Sequence, residues 1–152
     1  MLNNSITNPQ LTAAIKTLQA QPNSETEKEF LDLLKNAQFL VPINGGIELG
    51  KSKLDGKMTL KKSTKIKLPT ITDDYNNPWQ IAFTDWPAFK KWRDVKNEPA
   101  LILSFAEISA IILNKNNKTT GLIINPGSDN LPVPARIIAY LDGHVHPNII
   151  DI

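Results

Sequence analysis

Residues Gly45 to Ser52 read Gly-Gly-Ile-Glu-Leu-Gly-Lys-Ser and satisfy the phosphate-cradling pattern G-x-x-x-x-G-K-S/T in full. In that chemistry successive backbone N–H groups curl around a phosphate while the lysine reaches the terminal one. The loop must then run into a helix whose N-terminus faces the phosphates. Here Ser52 leads into Lys-Leu-Asp-Gly-Lys-Met, where Gly56 breaks any helix within one turn. No apolar stripe at helical spacing follows before Pro69. The match lacks its structural context, so no nucleotide and no other cofactor is assigned.

Other reactive residues are thinly spread. His144-x-His146, with Asp142 beside it, is half of a metal site with no further ligand fixed nearby, so no metal is assigned. Ser104, His144 and Asp142 are the types of a hydrolytic triad, but no Gly-x-Ser-x-Gly elbow is present and Ser104 is better used as a helix cap. The pair Asp73-Asp74 falls in a polar loop and reads as solvated. Trp79, Trp86 and Trp92 crowd into fourteen residues with Phe83 and Phe89 between them. Most of these rings are expected in the core. Trp86, beside Pro87 at a helix start, is the ring expected to stay partly exposed and serve an interface, with Lys90 and Arg93 as its rim.

The elements that would position these residues follow from periodicity and breakers. Asn8-Pro9 starts a helix through a side-chain cap and a fixed φ, and Leu11, Ala14, Ile15 and Leu18 carry it to about Ala20. Ser24-x-x-Glu27 reads as a capping box for a second helix bearing Phe30, Leu31 and Leu34 and ending near Asn36. Phe39-Leu40-Val41-Pro42 is a short strand, expected to end at the proline or lie at a sheet edge. Asp55-Gly56 between loosely alternating stretches signals a hairpin over about 43–70. Trp79–Thr84, Leu101–Leu103 and Gly121–Asn125 are buried strands, and a short extended piece lies near Leu131–Val133. Helices open at Asp85, at the Ser104-x-x-Glu107 box and at Pro134, and Gly143 ends the last. Strands alternating with helices after residue 79 predict parallel pairing there.

The composition agrees with a globular protein: 152 residues, 41% hydrophobic and 21% charged. The absence of cysteine excludes disulfides, thiolate metal sites and a cysteine nucleophile. The N-terminus, MLNNSITNPQ, has no basic-then-apolar leader pattern, and no apolar run approaches membrane-spanning length. The expectation is a cytoplasmic protein with no membrane association. Seven lysines between Lys51 and Lys67 face only Asp55, a local +6 that leaves −4 elsewhere from a net +2. Lysines on exposed strands discourage edge pairing, so weak salt-sensitive anion contact is expected and no specific nucleic-acid binding.

The order of these pieces carries a resemblance. A helical pair, Phe39-Leu40-Val41-Pro42, a variable hairpin, Ile81-Ala82-Phe83-Thr84-Asp85 before a tryptophan-bearing helix, a Leu-Ile-Leu strand, and Gly121-Leu122-Ile123-Ile124-Asn125-Pro126 follow one another. This resembles the N-terminal domain of the SseB (enhanced serine sensitivity) family over roughly residues 8 to 142. Its most specific pieces are Phe83-Thr84 and Ile124-Asn125-Pro126, which are structural punctuation. The resemblance implies an α/β domain with no assigned reaction, so no catalytic residue is carried over. Longer members carry a second, C-terminal domain.

The sequence therefore predicts one α/β domain (α+β as the alternative) over 1–152, with a core at about 8–142 and a tail at 143–152. It has a mixed central sheet flanked by helices, an N-terminal helical pair and a basic hairpin. The leading functional expectation is a non-enzymatic module for an unidentified protein partner, docked at Trp86, Lys90 and Arg93. The alternative is a small-molecule or enzymatic pocket at the carboxyl ends of the strands, where α/β sheets bind ligands. Thr84, Asp85, Ser104, Asn125 and Asp129 would line it.

Overall fold

The computed structural model describes residues 6–42, 68–93, 100–114 and 117–143. The chain is an α/β fold. Its N-terminal helical pair is α1 (Pro9–Ala20) and α2 (Ser24–Leu34), followed by β1 (Gln38–Pro42). The order continues as β2 (Thr70–Thr72), β3 (Pro78–Ala82), α3 (Trp86–Trp92), β4 (Ala100–Ser104), α4 (Phe105–Ile112), β5 (Gly121–Ile124), β6 (Leu131–Pro134) and α5 (Ala135–Leu141). The Asp55-Gly56 hairpin, the Gly45–Ser52 run, and His144 and His146 lie outside the described residues.

The strands hydrogen-bond in the order β2-β3-β5-β6 and, separately, β1-β4. Among the described residues one antiparallel bridge joins the two groups: Leu40 N–H donates to the Phe83 carbonyl at 2.9 Å and Phe83 N–H to the Leu40 carbonyl at 2.8 Å. Leu40 is thus paired on both sides, and β1 is interior there rather than an edge. Parallel pairing is confined to β3 with β5 among the described strands. The predicted parallel strand at 101–103 pairs antiparallel with β1 instead, Leu40 opposite Ile102. The reason is non-local: helices on either side of β4 are equally compatible with both directions, and the apolar β1 supplies the partner.

Strand alternation divides the core by face. On one face Phe39, Val41, Ala82, Leu101, Leu103, Leu122, Ile124 and Val133 pack with α1, α2, α4 and α5 through Leu11, Ile15, Phe30, Leu34, Ile108 and Ile138. On the other, Leu40, Ile81 and Phe83 pack with Ala88 and Phe89 of α3. Ile71, Ile102 and Ile123 lie partly buried at its margin.

Helix ends show where local reading holds. The Ser104–Glu107 box is present, with Ser104 N–H donating to Glu107 Oε1 at 2.8 Å and Glu107 N–H to Ser104 Oγ at 3.1 Å. The box on α2 is set one residue earlier than expected. Thr26 N–H donates to Asn23 Oδ1 at 2.9 Å and Asn23 N–H to Thr26 Oγ1 at 3.0 Å. The side chain of Asn8 does not cap α1. Its amide instead donates to the carbonyls of Gln38 (2.9 Å) and Thr84 (2.8 Å), tying the start of α1 to the sheet.

Candidate functional site

At the carboxyl end of β3 the chain leaves the sheet through Thr84, fully buried, and Asp85, half-buried. At the same end of β5, Asn125 takes a left-handed conformation with φ 55°. Asparagine tolerates that region better than most residues. The turn that follows is closed by Ser128 N–H and Asn130 N–H donating to the Asn125 carbonyl at 3.1 and 2.9 Å. This geometry aims the Asn125 side chain back into the sheet.

The result is a chain of hydrogen bonds. Thr84 N–H donates to Asn125 Oδ1 at 2.9 Å, and Asn125 Nδ2 donates to Thr84 Oγ1 at 3.0 Å and Asp129 Oδ2 at 2.8 Å. Thr84 Oγ1 donates to Asp85 Oδ2 at 2.9 Å, while Asp85 Oδ1 caps α3 by accepting from Ala88 N–H at 2.9 Å. From α1, Lys16 Nζ lies 3.4 Å from Asp129 Oδ1, and Gln19 Nε2 donates to the Asp129 carbonyl at 2.7 Å. Four of the five expected pocket residues therefore meet, and they meet each other. Both amide hydrogens and the carbonyl oxygen of Asn125 are spent inside the cluster.

Ser104 stands apart. Its side chain and amide serve the α4 cap, and it borders an open depression of about 500 Å³ with Asn8, Asn36, Gln38 and Ala106. Asn8 separates this depression from Thr84, since its amide bonds Thr84 on one side and Gln38, the register partner of Ser104, on the other. Sequence reasoning missed Asn8, Lys16 and Gln19, because an asparagine before proline signals only a cap. Asp73, on the loop read as solvated, is nevertheless an organised hydrogen-bond acceptor there. Its carboxylate accepts from Trp79 Nε1 (3.0 Å) and from the backbone N–H groups of Tyr75 (2.8 Å) and Asn77 (2.9 Å). The Trp79 indole and the Asn77 amide together hold its pKa down to about 2.

The second surface is α3. Trp86 is half-buried and packs its ring against Phe89, tilted by 45° at 5.1 Å between ring centroids; Phe89 in turn meets Phe83 at 5.0 Å. Lys90 and Arg93 are exposed, and the Arg93 guanidinium lies 4.3 Å over the ring of Trp92 rather than beside Trp86. The end of α3 rests on the turn after Asn125: a Cβ on Gly127 would sit 3.3 Å from Trp92 Cα. The polar cluster thus supports the helix that carries the tryptophans.

A family model described as the SseB protein N-terminal domain matches residues 11–139. The chain belongs to the SseB family. The match runs from α1 into α5, so both surfaces lie within the SseB domain. Comparison with curated proteins and with solved structures found no match. Among the described residues no group of three or more histidines, cysteines and carboxylates is arranged to hold a metal ion, and no helix is long and apolar enough to cross a membrane.

Proposed function

We propose that this SseB domain is a non-enzymatic interaction module that docks a protein partner in the cytoplasm, anchored by Trp86 with Lys90 and Arg93 on the rim. The observation that carries this reading is the unequal cover of the sheet. Packed against one face are α1, α2, α4 and α5, whereas α3, seven residues long, is the described helix on the other. Ile71, Ile102 and Ile123 remain only partly buried on that face, and Trp86 sits half-buried at the start of α3. A large amphipathic ring on a helix that also carries exposed basic side chains has the composition of an interface hot spot. Asp85 and Ala88 hold the first turn of α3, and the Asn125 turn holds its last, so the ring is presented by a braced element.

The alternative, a small-molecule or enzymatic site at Thr84, Asp85, Ser104, Asn125 and Asp129, is less well supported. Those groups already satisfy one another or cap helices, and a ligand would have to break bonds worth about 1 kcal/mol each. The test is capture from native extract with wild-type and Trp86→Ala bait, followed by NMR mapping of the captured partner on the labelled domain. Shifts centred on Trp86, Lys90 and Arg93, with capture lost in the variant, are expected. Equal capture by both baits, with shifts centred on Thr84 and Asn125, would favour the pocket.

A further inference from the structure

Hydrogen-bond parity along β1 fixes which way each residue of β4 faces. Both backbone groups of Leu40 are engaged by Phe83, so they point away from β4. Leu40 and its register partner Ile102 are therefore a non-hydrogen-bonded pair, because such pairs alternate in an antiparallel ladder. Leu101 and Leu103, opposite Val41 and Phe39, carry the ladder bonds. The N–H and C=O groups of Ala100 and Ile102 then point outward. They have no partner among the described residues, and β4 is the end of its sheet among the described strands.

The other sheet ends are blunted. The outer strand β6 reads Leu-Pro-Val-Pro, and β2 has three residues. Strand β4 contains neither a proline nor a charge. Natural edge strands without such devices are templates for another strand. The residues of β4 also read almost alike in both directions about Ile102, with Leu101 and Leu103 beside it and the small Ala100 and Ser104 at the ends. A two-fold antiparallel pairing sets Ile102 opposite Ile102, Leu101 opposite Leu103 and Ala100 opposite Ser104. The central pair exchanges two N–H···O=C bonds.

We propose that the β4 edge pairs with β4 of a second copy of this chain, antiparallel about a two-fold axis at Ile102, carrying one sheet across both protomers. Opposite residues of an antiparallel pair point to the same face, so the two Ile102 side chains meet on the α3 side of the sheet. A single strand pair buries less than the ~1,200 Å² of a stable interface. The dimer consequently forms at high concentration, with the change between about 10 µM and about 1 mM.

The test uses the full chain, by sedimentation and residue-resolved amide exchange at about 20 µM and about 1 mM. The expected result is monomer at the lower concentration and dimer at the higher, with the Ile102 amide slowed at least ~10-fold while Leu101 and Leu103 are unchanged. Ile102→Pro removes only the outward N–H and spares every β1–β4 bond; it should abolish the dimer, whereas Ile102→Ala, which keeps the N–H, should retain it. A monomer at 1 mM, an Ile102 amide already protected in the monomer, or a dimer that survives Ile102→Pro would overturn the proposal. If the proline variant fails to fold, the wild-type exchange pattern decides alone.

Discussion

Replacing Asn125 separates the parts of the polar cluster. In Asn125→Ala the buried Thr84 N–H loses its acceptor, at about 1–3 kcal/mol. The charge-assisted bond to Asp129 goes too; that carboxylate is 13% exposed and keeps Lys16, so water and the lysine offset part of its loss and about 1 kcal/mol remains. Alanine at φ 55° adds about 1 kcal/mol of backbone strain. The expected loss is about 4 kcal/mol, a large share of the roughly 5–15 kcal/mol typical of a domain. Asn125→Gly removes the same bonds without the strain and should be milder by about 1 kcal/mol. Asn125→Asp keeps the acceptor for Thr84 N–H but turns a carboxylate oxygen toward Asp129. Two carboxylates sharing a site raise one folded-state pKa above its unfolded value, so the penalty of this variant relative to wild type is smallest at low pH and grows as pH rises through the raised value. Urea denaturation of the three variants, at neutral and acidic pH, measures all of this. A cost below 1 kcal/mol for Asn125→Ala, or equal costs for alanine and glycine, would refute the reasoning.

Asp73, with its pKa lowered to about 2, supports the Trp79 turn above the ordinary carboxylate range, and that support is lost as pH falls through about 2. NMR titration followed at the Trp79 indole N–H should show a midpoint near 2; a midpoint near 4 contradicts the hydrogen-bonded turn. Gly121→Ala places a Cβ on the Val133 carbonyl and 2.9 Å from Pro134 Cα, both backbone, so the β5–β6 pair must separate and thermal melts should show a loss above about 3 kcal/mol. Gly143→Ala meets nothing within 4 Å and has only its φ of 82° against it, so it should cost about 1 kcal/mol. Ser104→Ala removes one half of the α4 capping box and should cost about 1 kcal/mol by urea denaturation, with no change in the depression's neighbours by NMR.

Local chemistry was readable where the partner lies within one helical turn. Asp85 before Trp86-Pro87 and Ser104 three before Glu107 are caps in the sequence and in the structure. It was not readable where tertiary structure offers a second use. Asn8 looks like a cap, yet the carbonyls of Gln38 and Thr84, 30 and 76 residues away, claim its amide. Adjacent boxes, Asn23–Thr26 and Ser24–Glu27, are equally good locally, and the extended backbone of Asn23 decides between them. Strand β4 has no local mark of direction, because its partner β1 lies some sixty residues earlier. The meeting of Thr84, Asp85, Asn125 and Asp129 follows from the rule that strand ends converge. That they consume one another depends on the left-handed turn at Asn125, which Asn-Pro-Gly hints at without specifying where the side chain goes.

The proposed docking role of α3 is tested most directly by titrating the purified partner against wild-type and Trp86→Ala domains in a calorimeter. Loss of the ring contact with Phe89 should cost about 1 kcal/mol, in addition to the apolar surface that half-buried Trp86 covers, and the variant should still fold. The folded variant should bind at least about 30-fold more weakly, a hot-spot loss of about 2 kcal/mol. An unchanged Kd, or a variant that cannot fold, would contradict the account and return Trp86 to the core.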